Sequence, residues 1–170
     1  MTTLVIVGGK VDIEEVKAFI GKLVAIGKKY GVTVQAVNAD LIAGRGHIEF
    51  AVNKAVESFH DKRNLARDLG METMLYLRGR RQIEHALELG VRKGENNVAI
   101  AIIGDDPDRA VPEVRAVLDE VDEKVVDYSH DKDDALMKLY EITPAELEIV
   151  GIERIPLLVR ERSALLEFEK

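Results

Sequence analysis

The sequence predicts an α/β (α+β) chain, a single domain over residues 1–170 with a mixed central β-sheet flanked by helices. Three observations carry that expectation. Apolar, largely β-branched runs at 4–7 and 97–103 are too short for ordinary helices, and the second is too uniformly apolar for an edge strand. Around them, apolar residues recur at helical spacing. With 46% hydrophobic residues, 170 positions can bury one sizeable core but leave no room for a second full domain.

Residues 4–7 read as a buried strand stopped by Gly8-Gly9. Asp12 and Glu15 have capping spacing, and Val16, Phe19, Ile20, Leu23 and Ile26 trace a helix that ends at Gly31. Residues 32–37 are strand-like, and Gly44-Arg45-Gly46 opens a helix carrying Ile48, Ala51, Val52, Ala55 and Phe59. A helix over 63–77 follows from Leu65, Ala66, Leu69, Met74 and Leu77; Gly79 breaks it, and a short helix over 82–89 ends at Gly90. After the central strand at 97–103 come a helix over 107–121, a strand over 124–128 and a helix over 131–140. Thr143-Pro144-Ala145-Glu146 places an N-cap Thr, Pro at the first helical position and Glu at the third, a strong helix start. A last helix begins near Pro156, and no repeat or linker marks a domain boundary.

Composition excludes several chemistries. Without cysteine there is no disulfide, no thiolate metal site and no thiol nucleophile. That lack, with 32% charged residues, also suits a thermophile. No stretch approaches the roughly 20 apolar residues of a membrane span, and the apolar start lacks a basic n-region and a cleavage site. A soluble, cytoplasmic protein is therefore expected. The net charge of -7 is regional: residues 105–153 hold sixteen acidic and five basic side chains, whereas 45–97 hold eight acidic and ten basic. A local basic surface is compatible with that distribution.

Most candidate motifs have an ordinary reading. Gly8-Gly9-Lys10 lacks the spacing of a phosphate loop and reads as a strand-to-helix turn. Asp105, Asp106 and Asp108 could offer oxygens to a hard cation, but without the remaining ligands of a calcium loop they read as a turn with charge at a helix N-terminus. His47, His60, His85 and His130 show no metal-ligand spacing, and no serine has the partners of a triad. His47, behind Gly46 at a helix start, is the histidine whose position leaves a ligand contact open.

Arg78-Gly79-Arg80-Arg81-Gln82 is the most informative cluster. Three guanidiniums next to a glycine and the start of a helix would supply donors and a positive dipole end to a phosphate. The alternative, with Arg78 paired to Glu72 or Glu84 and the others solvated, is equally compatible with the spacing.

At these residues the chain becomes recognisable. Asn38-Ala39-Asp40-Leu41-Ile42-Ala43-Gly44, then His47-Ile48, Ala51, Ala55, Arg63-Asn64-Leu65-Ala66, Glu72, Leu75-Tyr76, Gly79-Arg80-Arg81-Gln82-Ile83, Ala86-Leu87 and Gly90-Val91 follow one another in a family order. In that order and spacing the chain resembles an archaeal member of the PRPK-binding protein (TPRKB) family, the small subunits of the KEOPS complex. The match is densest over 34–104. The resemblance implies a non-catalytic subunit, without cofactor or metal, that docks on and regulates the kinase-like ATPase of KEOPS. It also implies recruitment of tRNA, including its CCA end, for threonylcarbamoyladenosine modification by another subunit. Few aromatic residues are available to stack bases, but holding a few phosphates needs only a local basic surface.

On that reading Arg78, Gly79, Arg80, Arg81 and Gln82 would contact tRNA, with Arg45 and Lys54 as the next candidates. The kinase-like partner would engage Ile155, Leu158, Leu165 and Phe168, set among Arg154, Arg160, Glu161 and Arg162. Packing of those four residues inside this chain is the plain alternative. The competing functional class is a small-molecule or nucleotide-binding α/β enzyme built on the glycine turns and the acids at 105–108.

Overall fold

The computed structural model describes residues 1–170. In chain order the elements are β1 (Thr3–Ile13), α1 (Val16–Tyr30), β2 (Thr33–Asn38), α2 (Arg45–His60), α3 (Leu69–Arg78) and α4 (Ile83–Ala86). There follow β3 (Gly94–Gly104), α5 (Val111–Ala116), β4 (Glu120–Val121), α6 (Asp133–Leu139), α7 (Pro144–Val150), α8 (Ile155–Ala164) and α9 (Leu166–Glu169). They divide into two compact units, each built from two stretches of chain: Met1–Ala39 with Gly90–Val126, and Asp40–Leu89 with Asp127–Lys170.

The first unit is a four-stranded sheet in the order β2-β3-β1-β4. All three ladders are antiparallel, with Val7 opposite Ile100 and Ala36 opposite Ile100 from the other side, so the sheet is not mixed. β1 and β2 run the same way because α1 carries the chain across between them, and β3 fills the gap antiparallel to both. The apolar run predicted as a central strand is that inserted strand, buried from Val98 to Ile103. Val7, Val11 and Ile13 of β1 pack with Val98, Ile100 and Ile102 of β3 and with Phe19, Leu23 and Ile26 of α1. Those helix positions are among the ones the sequence pattern assigned, whereas Ile20, also assigned, is 46% exposed.

Gly8 and Gly9 lie inside β1 rather than ending it. A Cβ on Gly8 would come within 2.6 Å of Val126 Cγ2, and one on Gly9 within 2.6 Å of Leu118 Cδ1, so the pair admits close approach of the 118–126 segment. That same segment corrects two sequence expectations. The helix over 107–121 is a 3-10 segment, Pro107–Ala110, and the short α5, and the chain then pairs with β1 at Glu120 and Val121. The strand expected over 124–128 is a 3-10 turn, Glu123–Val126, held by the Gly8 and Gly9 approach. Asp12 is likewise a strand residue and does not cap α1, whose N-cap Glu15 makes no side-chain cap bond.

The second unit is helical. α2 buries Ile48, Ala51, Val52 and Ala55 along one stripe, as its spacing predicts. α3 starts later than the pattern suggested, at Leu69, with Asp68 accepting the Met71 N–H at 2.9 Å. Thr143 and Glu146 form the expected capping box on α7. Ala43, Leu136, Tyr140, Ile142, Ile155, Leu158 and Val159 make a core cluster in this unit.

Candidate functional site

Side chains pin the loop at 40–44 in place. Tyr140 donates its hydroxyl to Leu41 O at 3.0 Å and Lys132 donates to Ile42 O at 3.4 Å, while Ala43 N–H donates to His47 Nδ1 at 3.1 Å. That last bond settles the His47 tautomer. With Nδ1 accepting, Nε2 carries the proton and donates to Leu77 O at 2.9 Å. Ser163 shares the same carbonyl at 3.1 Å. His47 is thus fully buried and structural, and not open to a ligand. Burial holds its pKa down at about 4. A depressed histidine contributes stability that is complete above its unfolded value of about 6.5 and is lost as pH falls toward about 4. The thermal midpoint of wild-type protein should fall over that window, and a His47→Gln variant should lack that part of the fall.

Gly79 caps α3 with φ 76 and donates its N–H to Leu75 O at 2.8 Å. It leads into the arginine cluster, whose geometry differs from the sequence expectation. The cluster follows the C-terminus of α3, the negative end of the dipole, and Gln82 caps only the four-residue α4. Arg78 is buried; its guanidinium lies 5.6 Å from the centroid of Tyr140 and 3.7 Å from Glu88 Oε1, and its Nε has no hydrogen-bond partner. Its side chain is therefore largely taken up inside this unit, where it also lines a cavity, rather than standing free on the surface. Arg80 is partly exposed beside Glu141 at 3.4 Å, and Arg81 and Gln82 are exposed.

Arg162, which the sequence reading set among the charges of the partner-facing segment, stands beside the arginine cluster instead. From α8, far along the chain, it joins Arg78 and Arg80 around a cavity of about 320 Å³ that Tyr140, Glu141 and Leu165 also line. Its Nη2 donates to both carboxylate oxygens of Glu146, at 2.7 and 2.9 Å, and its Nε donates to Tyr140 O at 3.1 Å. Only a signal of spatial proximity could have placed it there. Arg45 lies 3.3 Å from Asp127, and Lys54 3.9 Å from Glu57, on a different helix from the cluster.

The C-terminal segment divides in two. Ile155 and Leu158 are buried in the core cluster, so as side chains they are taken up by this chain. Leu165 is 50% and Phe168 85% exposed. The acids after β3 gather no site: Asp105 pairs with the Met1 amino group at 3.4 Å, and no group of three or more His, Asp or Glu side chains converges to hold a metal. Gly8 and Gly9 are strand residues and form no phosphate-cradling loop.

Residues 11–160 match the family model described as kinase binding protein CGI-121. The chain belongs to that family. It is also 27% identical over 141 residues to the regulatory protein Cgi121 of Methanocaldococcus jannaschii, spanning 82% of this chain and 87% of that protein. Family membership accords with the resemblance carried by the motifs from Asn38 to Val91. No helix is long and apolar enough to cross a membrane.

Proposed function

We propose that this chain is a non-catalytic KEOPS subunit that binds and regulates the kinase-like ATPase subunit and recruits tRNA, including its CCA end, for threonylcarbamoyladenosine modification. The observation that carries the reading is the match of residues 11–160 to a family described by kinase binding. Cytoplasmic work on tRNA fits that role. Arg80 and Arg81, with the side chain of Gln82, supply the phosphate contacts, and Gly79 turns the chain into them; Arg162 adds a guanidinium beside Arg80. Arg45 and Lys54 are the second basic pair. Leu165 and Phe168, exposed and apolar on the last turns of the chain, form part of the kinase-facing surface.

The test is co-purification with the kinase-like subunit, run beside a tRNA shift assay. Wild-type chain should enter the complex and bind tRNA without hydrolysing nucleotide alone. Arg80→Glu with Arg81→Glu should weaken tRNA binding and reduce the salt slope by about 0.7–0.9 for each phosphate that the variant no longer neutralises. An unchanged slope would move the RNA site to Arg45 and Lys54. Leu165→Glu should leave a folded chain that no longer co-purifies, and normal co-purification would remove that residue from the interface.

A further inference from the structure

His130 opens the 3-10 turn that leads into α6, with its side chain 53% exposed. Both ring nitrogens face carboxylates. Nδ1 lies 2.7 Å from Asp133 Oδ2, and Nε2 lies 3.1 Å from Glu153 Oε1. An ionised carboxylate only accepts hydrogen bonds, so the two contacts coexist only when both nitrogens carry protons. The Tyr128 hydroxyl, 3.3 Å from Nδ1, does not alter that count, because its own proton goes to Asp133 Oδ1.

These are the groups that face the ring: Tyr128 from the preceding turn, Asp133 from α6 and Glu153 from the 3-10 turn Ile152–Arg154. Of its charged neighbours in sequence, Asp131 and Asp134 add negative charge, Lys132 donates elsewhere, to Ile42 O, and Arg154 adjoins Glu153.

A neutral imidazole has one proton to place. Asp133 is the nearer acceptor and its side chain is 10% exposed against 78% for Glu153, so the proton stays on Nδ1. Nε2 then presents a lone pair to the Glu153 carboxylate. We propose that His130 is a proton-operated clasp, holding the turn Ile152–Arg154 to the start of α6 as an imidazolium and releasing it when neutral.

The released turn follows Gly151, at φ 89, and lies between exposed Ile149 and the start of α8. Losing the clasp therefore loosens a turn that carries Ile152, 49% exposed, next to Ile149, 85% exposed at the end of α7. The hydrogen bond to Asp133 is the largest influence on the imidazole; burial opposes it, the charges of Glu153 and Asp133 add to it, and the pKa stands above its ordinary value. A raised histidine stabilises the folded arrangement fully below about 6.5 and loses that contribution as pH rises through the folded value.

The experiment is a proton NMR titration of His130 in the full chain, with amide exchange at 151–154 compared between wild type and Glu153→Ala, which can neither accept nor donate, at the same pH. Wild-type His130 should titrate above about 6.5 and fall in Glu153→Ala. The turn amides should be protected roughly 1.5- to 5-fold more in wild type than in the variant at pH about 5.5, and equally at pH about 9. Titration at or below the ordinary value, or a protection ratio that does not change with pH, would overturn the clasp.

Discussion

Glu72→Ala should destabilise the chain by about 3–5 kcal/mol, a large part of the roughly 5–15 kcal/mol that holds a typical domain together. Glu72 is fully buried on α3, and its two oxygens accept four bonds. Leu65 and Ala66 each donate a backbone N–H at 2.8 Å, Ser58 its hydroxyl at 2.8 Å and Lys170 its ammonium at 2.7 Å. Lys170 is itself buried, lying 4.5 Å from the centroid of Tyr76, whose hydroxyl donates to Glu167. Removing the carboxylate leaves an ammonium, a hydroxyl and two amides buried around a cavity, and unpaired buried groups of this kind are the costly case. Burial alone would raise the Glu72 pKa, but the bonds from Lys170, Ala66 and Ser58 outweigh it and hold the carboxyl below its ordinary value. Its contribution is therefore complete above about 4.3 and is lost as pH falls through the depressed folded value. Urea unfolding of wild type and variant at neutral pH measures the difference. A loss below about 1 kcal/mol, the scale of an exposed ion pair, would refute the network.

Gly79→Ala should lose roughly 2–5 kcal/mol from two separate causes. A left-handed backbone, φ 76, costs an L-residue about 1–2 kcal/mol. The added methyl would also overlap the Arg162 carbonyl and lie 2.8 Å from its carbon, and backbone cannot swing aside as a long side chain can. Overpacking of that kind adds about 1–3 kcal/mol. Gly31→Ala separates the two causes, because Gly31 caps α1 at φ 66 with nothing within 4 Å of a new Cβ. Equal losses in the two variants would show that the approach of α8 to Gly79 carries no weight. The expected excess at Gly79 would mark it as the residue that lets Arg78, Arg80 and Arg162 line one cavity.

The places where the sequence reading went astray share a cause. Residues 63–68 have helical apolar spacing, yet Glu72 captures the amides of Leu65 and Ala66 and Asp68 caps the helix, so α3 begins only at Leu69. Residues 124–128 have strand-like composition, but the chain is drawn onto β1 earlier, at Glu120 and Val121, where Gly8 and Gly9 leave room for it. The arginine cluster was visible; its environment was not. Arg78 is consumed by burial against Tyr140 and Glu88, and the helix that starts after the cluster, α4, is only four residues long. Ile155 and Leu158 were legible as apolar but not as core, because a short helix with two apolar sides does not reveal which one is covered.

By itself the sequence determined the elements with strong local physics: the inserted strand β3, the stripe of α2, the left-handed glycine cap of α1 and the capping box of α7. Periodicity and capping act within a few residues, so they survive in one dimension. It also carried the order of motifs from Asn38 to Val91 by which the family was legible. Tertiary structure alone decided that every ladder is antiparallel, that Lys170 neutralises Glu72, and that Arg162 stands beside Arg80. Each of those depends on residues far apart in the chain, whose interaction energy arises only when the backbone has already brought them together.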